Sequence, residues 1–366
     1  MKILLLGDYS NVHCTLGAGL RQLGHEVTVA SDGDGWKNYP RDIDLKRQST
    51  GLWDTLKFMA KIERLFPQFK GYDVVQIINP VFLQLKGERM WRYYQQIRKQ
   101  NGAVFMGAFG MDHYYVKACL DCKTFKYSDF NMGNTIRESE ENSIWIQDWL
   151  HGAKGELNRK VAEDCNGIIA GLYEYYASYC PYFQDKLTYI PFPIVLQHHA
   201  LRSFEGHDKV RFFIGIQRKR SVYKGTDIML RALERVVAEY PDACEMFKVE
   251  SVPFQEYQRL LRGSDVILDQ LYSYTPAMNA LEAMAQGLIV VGGAEPENYE
   301  ILHEDTLRPI INVEPNEASV YQALKDLVCR RKEVQRLAAE SRSYIEKHHD
   351  HVKVAQRYLD FWKSRM

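Results

Sequence analysis

Short apolar runs alternate along this chain with longer stretches in which apolar residues recur every third or fourth position. The first is a buried-type strand at 2–6 that ends at Gly7. A polar loop, Asp8-Tyr9-Ser10-Asn11, leads into a helix through Gly17-Ala18-Gly19-Leu20, and Gly24-His25 stops that helix before a strand at 26–30. A βαβ start of this kind implies a parallel sheet with ligands outside the carboxyl ends of its strands. The alternation continues with helices at 52–66 and 90–100 and strands at 73–78 and 103–108. Residues 113–152 read as irregular and polar, too long for a plain connection, and so as a lid or binding insertion. Helices at 156–164 and 172–178 and strands at 167–170 and 187–190 complete this half, and Pro191-Phe192-Pro193 with the polar residues up to His207 reads as a linker.

The second half repeats the pattern: strands at 210–216 and 245–249, helices at 226–240 and 254–262. Its central stretch, 264–293, reads as strand, polar loop, helix, strand. A strand at 265–271 is followed by Thr275 as N-cap and Pro276 at the first helical position, and Gly287 closes the helix before a strand at 288–291. Such a helix aims backbone N–H groups at the strand mouth, where an anion can sit. Asn279 and Glu282 lie three apart on one face of it. A strand at 307–313 and helices from 318 onward follow, the last at 351–364. The expected fold is α/β: two doubly wound Rossmann-like domains facing a cleft. The N-terminal domain is read as 1–195 and the C-terminal one as 208–348, with 349–366 a helix able to cross back to the first.

Composition narrows the partners. The 366 residues exceed one comfortable core, and Lys plus Arg equals Asp plus Glu at 47 each, so bulk charge favours neither nucleic acid nor an anionic membrane. A peripheral membrane contact would need a basic apolar face on the first domain, which neutral net charge neither shows nor excludes. Seven scattered cysteines fit a reducing cytosol better than a disulfide framework, and no signal-peptide pattern opens the chain, so the expected location is cytoplasmic. Cys119 and Cys122 have zinc-like spacing without a second pair to match. The first turn lacks the G-x-G-x-x-G of dinucleotide binding.

Three segments in order resemble the retaining glycosyltransferases of family four, which have the two-Rossmann-domain B fold. They are Gly24-His25-Glu26-Val27, then 213–227 (FIGIQRKRSVYKGTD), then 280–291 (ALEAMAQGLIVV). The resemblance implies that Glu282 contacts the ribose of a nucleotide-diphosphate sugar. It also implies that Lys224 and Arg218, with Arg220 competing for the arginine's role, contact the diphosphate. Fixed cations and a helix N-terminus can stabilise a leaving diphosphate without a metal, so no metal or other cofactor is expected. Gly215 would let backbone approach the phosphates, and Asn279 and Gln270, in a D-Q-L variant of the loop, join the donor-binding set. Tyr274, counted with the donor-binding residues, stands where the family has its first motif glutamate, and Ile216 and Ile289 replace the usual arginine and proline.

In the first half, Asp112 and His113 follow a strand end and a glycine, where they either orient the acceptor or stabilise charge on the sugar, or serve only structurally. Asp8 and Asn11 are assigned to the acceptor side by topology, and His13 is as plausibly a packed core residue. The expected activity is transfer of a sugar, with retention, from the nucleotide sugar to a glycan or lipid-linked acceptor of surface polysaccharide synthesis. The alternatives are a nucleotide-sugar epimerase on the same fold and a non-catalytic nucleotide- or glycan-binding protein.

Overall fold

A computed structural model describes residues 1–201, 208–217, 220–250, 252 and 254–366, with the side chains of Trp36, Phe254 and Gln255 outside the description. The chain divides into two compact units. The first comprises Met1–Thr124, Ile136–Pro193 and His351–Met366; the second comprises Phe125–Thr135 and Ile194–Asp350.

The first unit is built on seven parallel strands: β1 (Lys2–Leu6), β2 (Glu26–Ser31), β3 (Ile43–Asp44), β4 (Val74–Ile77), β5 (Ala103–Ala108), β8 (Gly167–Ala170) and β9 (Leu187–Tyr189). They run in the order β3-β2-β1-β4-β5-β8-β9. The helices are α1 (Val12–Gln22), α2 (Leu52–Leu65), α3 (Gly87–Gln100), α4 (His113–Leu120), α5 (Glu140–Ile146), α6 (Ala153–Asp164), α7 (Tyr173–Phe183) and, from the far end of the chain, α15 (His351–Ser364). The strands are apolar on both faces because helices cover both sides of a parallel sheet. Leu4, Val75, Val104 and Ile168 are wholly buried. The strand order reverses between β1 and β4, which puts the ligand crevice of such a sheet beside the β1–α1 loop.

The second unit has five parallel strands, β10 (Val210–Ile216), β11 (Cys244–Glu250), β12 (Val266–Leu268), β13 (Ile289–Gly292) and β14 (Ile311–Asn312), in the order β11-β10-β12-β13-β14. Its helices are α8 (Ser221–Lys224), α9 (Thr226–Glu239), α10 (Phe254–Arg262), α11 (Met278–Ala285), α12 (Pro296–Glu300), α13 (Glu317–Cys329) and α14 (Arg331–His348). Phe212, Ile214, Val266 and Val291 meet Met229, Leu233 and Leu324 in its core. Here the order reverses between β10 and β12, so the loops after these two strands flank the crevice.

Several expectations are corrected. Residues 113–152 are irregular only in their middle: at either end α4 is capped by the Asp112 carboxylate, which accepts from Tyr115 N (2.9 Å), and α5 by the Ser139 hydroxyl, which accepts from Asn142 N (3.0 Å). Between them, residues 125–135 contribute to the second unit, and β6 (Asn131–Met132) pairs with β7 (Thr135–Ile136). Helix α11 starts at Met278 with Ala277 at its N-cap and no side-chain cap, so Thr275 and Pro276 lie in the preceding loop. That loop is held elsewhere: Leu271 N donates to Lys224 O (3.0 Å) and Glu295 N to Tyr274 O (3.0 Å). Strands β12 and β14 are shorter than the apolar runs that contain them. Helix α7 runs through Pro181, its last turn held by buried Tyr179 and Phe183.

Candidate active site

In the second unit three loops meet at the carboxyl edge of the sheet. The loop after β12 (269–277) is bonded to the end of α8 through Leu271 N and Lys224 O. Gly225, at φ +73°, adopts the left-handed backbone that glycine tolerates, and a Cβ there would press on Leu271. On the other side Gly293 is wedged so closely that a Cβ would collide with the carbonyl oxygen of Ser273. Lys224 ends α8, half-buried, and the Arg220 guanidinium sits over the Tyr223 ring at 4.8 Å. Arg218 lies outside the described residues.

Tyr257 of α10, missed in the sequence, draws several candidates together. Its hydroxyl donates to Asn279 Oδ1 (2.8 Å), and Asn279 Nδ2 donates to Asp269 Oδ1 (2.9 Å). Its ring stands edge-on to Phe213 at 5.0 Å, and a Cβ at Gly215 would lie 3.1 Å from it. Burial pushes the Tyr257 phenol up, and the charges of Asp269 and then Glu282 add to this. Gly215, Asn279 and half-buried Glu282 therefore share one neighbourhood on the β10, β12 and α11 side. Gln270 sits in the same loop, its backbone oxygen 3.1 Å from where a Cβ of Gly292 would be.

Tyr274 has a different setting. It is buried, with its ring against Phe125 (5.5 Å) and Tyr127 (5.3 Å), and its hydroxyl accepts from Lys126 N (2.7 Å). Beside it Glu295 accepts from Tyr127 Oη (2.5 Å), Asn312 Nδ2 (3.1 Å) and Lys126 Nζ (3.3 Å). Burial raises the Glu295 carboxyl, but these three partners outweigh it and hold the group below the usual range. The 125–135 segment thus packs on the position that the family resemblance gives to a glutamate.

In the first unit Asp8 ends the β1 turn. It is buried and accepts from His13 N (3.0 Å) and Cys14 N (3.3 Å). Burial, against those two bonds and with Asp34 and Asp32 nearby, raises its carboxyl to about 7. Asn11 takes the left-handed conformation (φ 71°), and its buried Oδ1 has no hydrogen-bond partner among the described residues. His13 is a packed core residue: fully buried, edge-on to Phe109, Nδ1 2.6 Å from Gly7 O, with burial lowering it to about 3.

After β5, Asp112 is fully buried, accepts from Tyr179 Oη (2.9 Å) as well as Tyr115 N, and is raised by burial to about 7. Asn158 Nδ2 donates to the same Tyr179 oxygen (3.0 Å), while Asn158 Oδ1 accepts from His113 N (2.9 Å). His113 Nδ1 lies 2.8 Å from the Trp149 carbonyl, which places the proton on Nδ1 and leaves Nε2 as acceptor. Burial lowers the imidazole first of all, so the neutral ring is favoured. Tyr9 links the two loops: a Cβ at Gly110 would lie 3.2 Å from its ring, and Asp32, Asp34 and Asp112 all raise its phenol after burial does. Asn158 was missed although a polar residue between apolar Leu157 and Val161 on one helix was a signal for it. Among the described residues no group of three or more His, Cys, Asp or Glu is arranged to hold a metal ion.

Solved structures match across the whole chain. Sucrose-phosphate synthase from Thermosynechococcus elongatus superposes with a TM-score of 0.64 at 13% identity, over 100% of this chain and 99% of its own. Anabaena HepE in complex with UDP and glucose gives 0.60 at 11%, over 100% of both chains. The fold is the B fold of glycosyltransferases and nucleotide-sugar epimerases. A putative UDP-N-acetylglucosamine 2-epimerase from Listeria monocytogenes shares it, with a TM-score of 0.57 at 12% identity over 100% of this chain and 96% of its own. No family model matches the sequence, and no curated protein matches it either. At these identities the likeness is one of B-fold architecture, two Rossmann-like α/β units with parallel sheets.

Proposed function

We propose that the chain is a retaining glycosyltransferase that moves a sugar from a nucleotide-diphosphate sugar to a glycan or lipid-linked acceptor. The observation that carries this is the convergence at the β10/β12 crevice of Gly215, Asn279 and Glu282 around Tyr257, with Lys224 at the end of the neighbouring loop. In such a site Glu282 would accept from ribose hydroxyls, Gly215 would admit the phosphates, and Lys224 with Arg218 or Arg220 would stabilise the departing diphosphate. Tyr274 is reassigned in this reading from ligand contact to support of the 269–277 loop. The acceptor is assigned to the first unit, where Asp8 and Asp112 are carboxyls able to carry a proton near neutral pH.

A second reading, a nucleotide-sugar epimerase, is favoured by one observation: a putative epimerase matches with a TM-score of 0.57 beside the 0.60 of a UDP- and glucose-bound protein. Thermal-shift measurements with UDP, GDP, ADP, CMP and their sugars test the donor site. A ligand at a hundredfold excess over its dissociation constant stabilises by about 2.7 kcal/mol. One nucleotide diphosphate is expected to raise the melting point of wild type and to lose that effect in Glu282→Ala. No response to any nucleotide would overturn the donor site. Incubation of the stabilising nucleotide sugar without acceptor separates the two reactions: a new sugar epimer in the NMR spectrum indicates the epimerase, slow hydrolysis the transferase.

A further inference from the structure

Helix α2 turns apolar side chains both ways. Phe58 and Ile62 enter the core, while Leu52, Trp53 and Leu56 are 75%, 76% and 49% exposed. At 100° per residue, positions 52, 53, 56 and 60 fall within one arc of the helix, which exposed Glu63 shares and which exposed Lys57 and Arg64 border on the Trp53 side. An exposed Trp between two exposed Leu on an amphipathic helix is not accounted for by packing, whereas Trp149 and Trp362 of the same unit are buried.

The charge around this surface departs from the chain average. Lys plus Arg balances Asp plus Glu over the whole sequence, yet 41–65 and 86–99 together carry eleven Lys and Arg against five Asp and Glu. These segments are neighbours: Tyr93 of α3 donates its hydroxyl to Glu63 of α2 (2.7 Å) and packs on Phe66 (5.2 Å), and Lys61 of α2 reaches Asp44 (3.0 Å). Among the described residues no helix is long and apolar enough to cross a membrane. An amphipathic helix with Leu and Trp on one side and cations beside them suits the plane of a bilayer, the Trp at headgroup level.

We propose that α2, with the basic surface around it, docks this protein on an anionic lipid bilayer. Charge complementarity selects this occupant: a second copy meeting the same surface would bring two basic patches together, which like-charge repulsion opposes. The proposal stands on the first unit alone and does not depend on the transferase reading.

Flotation of the full chain tests it, using vesicles of phosphatidylcholine alone and of equal parts phosphatidylcholine and phosphatidylglycerol. Wild type is expected to float with the anionic vesicles, far less with the neutral ones, and to be released by high salt. Replacing Leu52, Trp53 and Leu56 together by Ser should lower the bound fraction about tenfold. Lys57→Glu with Arg64→Glu should lower it on anionic vesicles only. All five side chains are exposed, so circular dichroism melts should match wild type, and nucleotide thermal shifts should be unchanged. Failure of wild type to float, or flotation that the triple variant leaves intact, would overturn the proposal. So would a dimer, seen by light scattering, that the triple variant dissolves, because it would assign the surface to a second copy.

Discussion

Asp112 carries its proton toward neutral pH because it is fully buried, and its hydrogen bonds offset only part of that cost. An unfolded chain ionises Asp near pH 3.9. Between about pH 4 and the folded value of about 7 the native state therefore holds a proton that the unfolded state has lost. Native stability falls as pH rises through that window. Asn at this position would not ionise, and its side-chain oxygen could still accept from Tyr115 N. Urea unfolding of wild type and Asp112→Asn at several pH values should show wild type losing about 2–4 kcal/mol relative to the variant between pH ~5 and ~8. Parallel curves would mean that the carboxyl is not protonated in the fold. At this scale the sequence offered residue types and little more. Asp112 and His113 were legible as a polar pair after a strand, whereas their partners Tyr179 and Asn158, 67 and 45 positions away, come to them only through folding.

Elements that bury an apolar stripe were legible; elements held by a distant polar partner were not. Helices α9 and α15 fall where their 3.6-residue periodicity puts them, because burial of that stripe stabilises each. The segment 125–135 has no such stripe. It is fixed by Tyr127 on Glu295, Lys126 on Tyr274, and internally by Asn131 Nδ2 donating to Phe125 O (2.9 Å) and Gly133 O (3.0 Å). Tyr127→Phe leaves Glu295 short of one partner while keeping the ring against Tyr274. The expected loss is about 1.5–3 kcal/mol, the range for a hydrogen bond to a charged group. Hydrogen exchange should then accelerate across 125–135 with little change in β4 or β5; uniform acceleration would contradict this local role. The start of α11 was misplaced for a related reason. Thr275-Pro276 is a good local start signal, but Leu271, Ser273 and Tyr274 are committed to neighbouring loops and delay the helix to Met278.

Across the whole molecule, the most distant parts of the chain complete the first unit. Helix α15 brings Val354, Tyr358, Leu359 and Trp362, all at most 1% exposed, to a unit whose strands begin at residue 2. Gly19 of α1 lies so near the His351 carbonyl that a Cβ would collide with it, and Trp362 Nε1 donates to buried Gln76 Oε1 (3.3 Å). Burial of four such side chains contributes on the order of 10 kcal/mol, comparable to the total stability of a domain. A chain ending at Asp350 should therefore lose the protease resistance of the first unit, read by limited proteolysis and mass spectrometry; an unaltered digestion pattern would show that α15 is dispensable. The sequence by itself determined the α/β class and the run of strands and helices, because apolar periodicity is a local property of the chain that burial must satisfy. It also marked the Gly215 to Glu282 residues, whose spacing along two βα units survives folding unchanged. Tertiary structure alone decided that 125–135 packs on Tyr274, that Tyr257 joins Asn279 and Gly215, and that Asp8 and Asp112 become weak acids. Those outcomes depend on desolvation and on partners tens of residues away, and neither is written in any local pattern.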